Sequence, residues 1–116
     1  MDILDPLIAM YKNKAKAKQQ KNAVYKFQDG EGNECKIKYP NINLNDMTIT
    51  FEFVSRLGWI RQVQVLLTEA DGRVCPHWNK PFTLSQLGNF SSMYLAQGKQ
   101  APINELLTCI EDLLWP

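Results

Sequence analysis

Over residues 47–54 the chain alternates strictly, with Met47, Ile49, Phe51 and Phe53 at the odd positions and Thr48, Thr50 and Glu52 at the even ones. Successive side chains of a strand point to opposite faces, so this pattern predicts a β-strand with one face in a core and the other in water. Three more stretches follow the same rule. Val24–Gln28 turns Tyr25 and Phe27 inward. Residues 34–39 set Cys35, Ile37 and Tyr39 against Glu34, Lys36 and Lys38, and residues 60–68 set Val63, Val65 and Leu67 against Gln62 and Gln64. The turn formers of Asp29-Gly30-Glu31-Gly32-Asn33 join the first pair as a hairpin, and Leu57-Gly58 joins the last. Pro40 has no amide hydrogen for a ladder and is expected to end the second strand, followed by a polar connection through Asn41, Asn43, Asn45 and Asp46. Beyond the tight turn Asp71-Gly72, Arg73-Val74-Cys75 reads as a short fifth extended piece.

A helical period governs the rest. Ile103, Leu106, Leu107, Ile110, Leu113 and Leu114 recur at i, i+3, i+4 and i+7, with Pro102 where a first turn accepts proline. Thr83 is placed to cap a helix over residues 84–95, interrupted or bent near Gly88 and ended by Gly98. Residues 76–82, with two prolines, a Trp and a His, are expected to be irregular. Residues 3–20 read as an N-terminal helix with Ile3, Leu4, Leu7, Ile8 and Tyr11 on one face, Asp2 or Asp5 as its cap and a stripe that fades into Lys, Ala and Gln past Tyr11. A sheet with one apolar face needs a cover, and apolar helix stripes supply it. The expected fold is thus α+β and two-layered: a four-stranded antiparallel meander with the N-terminal and C-terminal helices packed on one face, in a single domain over residues 1–116.

Composition narrows the function classes. With 116 residues, 45% hydrophobic and 22% charged, the chain can bury one core without metal or disulfide support. No apolar run approaches the roughly 20 residues that span a bilayer, and the acidic start Met1-Asp2-Ile3-Leu4-Asp5 lacks the form of a secretory signal. No membrane partner is expected, and the location is expected to be intracellular, in the cytoplasm. Cys35, Cys75 and Cys109 are odd in number and far apart, which argues against a disulfide framework. With His77 the only histidine and no Cys-x-x-Cys, nothing calls for a metal or a cofactor.

Net charge is +1, but Lys12, Lys14, Lys16, Lys18 and Lys21 fall together with no acid among them. That run is either a solvated helix face or a patch for phosphates or an acidic partner. Tyr25-Lys26-Phe27 and Lys36-Ile37-Lys38-Tyr39 place aromatics and lysines on opposite faces, which counts against a nucleic-acid stacking platform. Cys75 with His77 is the one pair that would support nucleophilic catalysis, with Arg73 nearby to favour a thiolate. Pro76 holds the backbone open between them, so direct contact is not favoured. No Ser-His-Asp set or phosphate loop is present.

At Gly72-Arg73-Val74-Cys75 the chain resembles the ubiquitin-conjugating-enzyme fold, in which a Gly-x-Ile/Val-Cys run carries the thioester cysteine. Trp78-Asn79-Lys80-Pro81-Phe82-Thr83-Leu84 is similar to the family's Trp-x-Pro…Thr-Leu/Ile stretch, which opens the following helix. Tyr39-Pro40 resembles its strand-closing Tyr-Pro. The likeness covers most of the chain in topology and about a dozen residues by motif. The family's His-Pro-Asn is absent upstream of Cys75, Asn41-Ile42-Asn43 replaces its later prolines, and Cys75 and Trp78 stand closer together than its pattern has them. Noncatalytic relatives of that fold, the UEV and RWD domains, bind other proteins.

The resemblance implies an adaptor of RWD or UEV-like type whose partner is another protein, a ubiquitin-like one included, with Trp78 and His77 as binding residues. The alternatives are a conjugating-type enzyme using Cys75 as thioester acceptor, and a nucleic-acid accessory protein using Lys14, Lys16 and Lys18 within the lysine run. Exposure of Cys75 beside Asn79 or Asn89 as an oxyanion donor would favour the enzyme. Oligomeric state is left open.

Overall fold

The period-two stretches pair in sequence order. The computed structural model describes residues 24–115, as strands β1 (Val24–Gln28), β2 (Glu34–Asn43), β3 (Thr48–Val54), β4 (Ile60–Ala70) and β5 (Arg73–Pro76) followed by helices α1 (Leu84–Leu95) and α2 (Ile103–Leu114). The expected helix over residues 3–20, with Lys14, Lys16 and Lys18, lies outside the described residues. The sheet is antiparallel throughout, in the order β1-β2-β3-β4-β5. It curls until both edge strands, β1 and β5, meet α2, while α1 lies against β4. The architecture is α+β with an antiparallel meander, as the pattern predicts.

Two strand assignments differ. The sheet has five strands rather than four, because Arg73–Pro76 pairs with β4 from Ala70↔Arg73 to Leu67↔Pro76. Asp71 and Gly72 both adopt positive φ, 53° and 73°, the conformation of a two-residue turn whose twist keeps its flanking strands in register. The second difference lies in β2, which does not end at Pro40. Lys38 faces Glu52 and Asn41 faces Thr50, so Tyr39 and Pro40 together oppose the single residue Phe51. This is a β-bulge, with Tyr39 at φ 54°. A bulge is where a strand tolerates a proline, since the extra residue is unpaired anyway. It also exchanges the faces: Pro40 takes the buried place and Tyr39, expected inward, is half exposed.

The start of β3 also departs from the pattern: Met47, expected inward, precedes the strand at φ 52° and is partly buried, while Thr48, expected in water, is buried. The rest of the core is the one the pattern predicts. Ile49, Phe51 and Phe53 of β3 and Val63 and Val65 of β4 are fully buried, and α2 buries Leu106, Leu107, Ile110, Leu113 and Leu114 onto them. Each such side chain removed from water contributes roughly 1.5–3 kcal/mol. Phe90 of α1 meets Phe53 edge to face at 5.0 Å and stacks with Phe82 at 5.6 Å. Deeper in, the Cys35 thiol and the Tyr94 hydroxyl approach to 3.7 Å, and burial raises the pKa of both groups.

Side chains close the elements. Asp29 Oδ1 accepts from the amides of Glu31 and Asn33, each at 2.9 Å, and locks the β1–β2 turn. Thr83 Oγ1 accepts from the Gln86 amide at 3.3 Å as the cap of α1. The helix then runs through Gly88 without the interruption that was one of the two expectations there. Beyond β5 the chain does not leave the sheet: the His77 amide donates to the Leu66 carbonyl at 2.8 Å, and the Leu66 amide to Pro81 at 2.7 Å. Where that pairing stops, the Gln64 amide donates to Gln86 Oε1 at 3.0 Å, so α1 covers part of an otherwise open strand edge. No helix among the described residues is long and apolar enough to cross a membrane.

Candidate functional site

Two regions carry the candidate residues. The first is the corner where β5 meets the end of α2. Inward-facing Val74 and Pro76 are buried, which leaves Arg73 and Cys75 on the other side of β5. The Arg73 guanidinium lies over the Trp115 ring, 4.9 Å from its centroid, and Trp115 Nε1 donates to the Val74 carbonyl at 3.1 Å. From α2, the Glu111 carboxylate accepts a hydrogen bond from Trp78 Nε1. The fold therefore brings Arg73, Cys75, Trp78, Glu111 and Trp115 together from two distant stretches of the chain.

The surroundings of the Cys75 thiol raise its pKa rather than lower it. Partial burial raises the pKa of Cys75, the Glu111 carboxylate raises it further, and Arg73 opposes both without prevailing. A nucleophilic cysteine needs the reverse, an electropositive setting that holds the thiolate. Among the described residues no hydrogen bond joins His77 to Cys75. Residues two apart on an extended chain point to the same side, so spacing alone would permit contact. Instead His77 Nδ1 accepts from the Lys80 amide at 3.1 Å, closing a turn that leads away from β5. Asn79 lies exposed in that turn and Asn89 on the exposed side of α1; among the described residues neither side chain hydrogen-bonds toward Cys75. No disulfide joins Cys35, Cys75 or Cys109 among the described residues. No group of three or more His, Cys, Asp or Glu among the described residues is placed to hold a metal.

The second region was not singled out by pattern. On α1, Phe90, Met93 and Tyr94 face the core, while Leu84, Leu87 and Leu95 face out at 90%, 38% and 70% exposure. The helix reads LSQLGNFSSMYL and has no charged residue. A lone exposed leucine is ordinary on a protein surface, but three on one uncharged helix are not. The signal in the sequence was the presence of apolar residues on both sides of a single helical period, more than one buried face can use.

Two open grooves lie along β1 and α2. One of about 580 Å³ runs between the β1–β2 turn and the start of α2, past Glu31, Lys99 and Glu105. Its rim is held by the Lys99–Glu31 ion pair at 2.8 Å. The other, of about 530 Å³, lies between β1 and α2 and is lined by Tyr25, Phe27, Thr108 and Asp112. The second groove also includes Cys109 among its lining residues, and His77, the one histidine of the sequence, is not among them.

Compared with known proteins, the chain matches no family model, no curated protein and no solved structure.

Proposed function

We propose that this chain is a noncatalytic, protein-binding adaptor module of RWD or UEV-like type. The observation that carries the reading is the outward set Leu84, Leu87 and Leu95 on α1, which stands outside the core formed by the described residues. Contiguous exposed apolar area is the usual mark of a docking site for another protein. The raised thiol of Cys75 supports the noncatalytic half. The order of meander, extended segment and two C-terminal helices supports the likeness to that fold, as does the way Trp78 to Thr83 leads into α1. Against it, β2 continues past Tyr39-Pro40 where the family's strand closes.

The test has two arms. The protein is incubated with a ubiquitin-like protein and its activating enzyme and run on a gel without reductant; no adduct is expected. A reductant-sensitive adduct that disappears in Cys75→Ser would make the chain a conjugating-type enzyme. In the second arm, immobilised wild type and Cys75→Ser are expected to retain the same proteins from a cell extract, and Leu84→Glu to lose them. Equal retention by all three would remove the α1 stripe from the reading.

A further inference from the structure

Along the outer side of α1 stand Leu84, Gly88, Ser91 and Leu95, at successive spacings of four, three and four residues, all exposed except Ser91, which is partly buried. That is the spacing of a coiled-coil seam, in which one helix presents a narrow stripe to another. Read from either end the line gives the same order: a leucine, two small residues, a leucine. When two copies of such a helix lie antiparallel about a two-fold axis, Leu84 of each faces Leu95 of the other, and Gly88 faces Ser91. The two small residues then sit at the crossing point, where they let the backbones approach closely, and the leucines close the two ends.

We infer that the partner of this stripe is a second copy of the same chain, docked antiparallel through α1; the inference rests on the protein-binding reading above and names its partner. Three observations select a copy over a different protein. The seam is self-complementary, as a two-fold interface requires. The helix carries no charge, so two copies meet with no like charges opposed on α1 itself, and α1 has none of the flanking charges by which paired helices choose a different partner. Gly88 is free on its outer side, since a Cβ built there meets nothing within 4 Å, so the small residue at the crossing is not required by the domain's own packing. With two leucines of each helix in the seam and a helix about 18 Å long, the contact falls below the standard interface size and association is weak.

The test uses two single variants of the full chain, Leu84→Glu and Leu95→Lys, alone and mixed. Both positions are exposed, so the fold should survive, and circular dichroism checks it. Sedimentation equilibrium between about 10 μM and 1 mM should show wild type moving from one chain toward two, a range suited to weak association. Each variant alone should lose that shift, weakening association by about tenfold or more. The equimolar mixture should recover it. In a mixed antiparallel pair the carboxylate placed at 84 meets the ammonium placed at 95, and the other end regains its native leucine pair. A parallel pair would gain neither contact. Wild type that stays a single chain across the range, or a mixture no better than its components, overturns the inference. If wild type is a single chain yet Leu84→Glu still loses a retained protein, only self-association falls. If retention is also unchanged, the protein-binding reading falls with it.

Discussion

Helices α1 and α2 have the same length, 12 residues, and lie on the same side of one sheet, yet they divide their apolar residues differently. In α2 the leucines and isoleucines form one stripe, buried from Leu106 to Leu114, while Asn104, Thr108 and Asp112 face water. In α1 the buried stripe is aromatic, through Phe90 and Tyr94, and leucines occupy the opposite side. The first distribution is that of a helix whose work is finished inside its own domain. The second leaves apolar surface over for something else. The difference teaches that hydrophobic content alone does not separate structural from binding residues; which side of the helix meets the sheet does.

The sharpest way to break this comparison is truncation. Leu107→Ala in α2 should cost about 2–5 kcal/mol and Phe90→Ala in α1 about 3–5 kcal/mol, as for fully buried side chains. Leu84→Ala should stay within about 0.5 kcal/mol, because the leucine is 90% exposed. Urea titrations at low micromolar protein measure all three. A loss at Leu84 comparable to that at Leu107 would show that the outer stripe belongs to the core after all.

A smaller effect separates two glycines of the α1 region. Gly88 is helical and its outer side is open, so Gly88→Ala should stabilise the domain by up to about 1 kcal/mol through helix propensity. Gly98, three residues past the end of α1, sits at φ +68°, where a side chain is strained. Gly98→Ala should therefore destabilise by about 1–2 kcal/mol despite the equally open space around it. Thermal unfolding followed by circular dichroism should move in opposite directions for the two. Equal shifts would mean that space rather than backbone conformation governs both sites.

The smallest effect concerns the corner that lacks an exposed apolar stripe. Burial and Glu111 raise the pKa of the Cys75 thiol, so its alkylation should have a midpoint above the ordinary thiol value of about 8.5 and be slow at neutral pH. Glu111→Gln removes the charge but keeps an acceptor for the Trp78 indole, and should move the midpoint down. The rate of iodoacetamide labelling against pH, read at Cys75 by mass spectrometry, gives both values. An unchanged midpoint would remove Glu111 as a cause and leave burial alone.

The sequence showed some residues plainly and hid others for a physical reason. Ile49, Phe51, Phe53, Val63 and Val65 were assigned to the core by alternation, and Leu106, Leu107 and Ile110 by helical spacing, and all of them are buried. Tyr39 was assigned inward by the same rule and lies half exposed, because the bulge adds a residue and the period slips by one. Trp78 and Cys75 were singled out as neighbours in the chain. That they share a partner in Glu111, from the last helix, had no local signal.

Periodicity is a property of neighbours along the chain, so the sequence by itself determined which residues of β1, β3, β4 and α2 share a face, where the β1–β2 turn closes through Asp29, and where α1 begins at Thr83. Burial depends on what is packed opposite, and that is decided over long separations. Only the tertiary structure settled that Arg73–Pro76 joins the sheet, that Pro40 rather than Tyr39 enters the core, and that burial and the Glu111 carboxylate raise the pKa of the Cys75 thiol. It also decided the fate of the leucines. Leu84 and Leu107 are the same side chain in helices of equal length, but α1 turns Phe90 toward the sheet and α2 turns Leu107, so one leucine is left in water and the other is not.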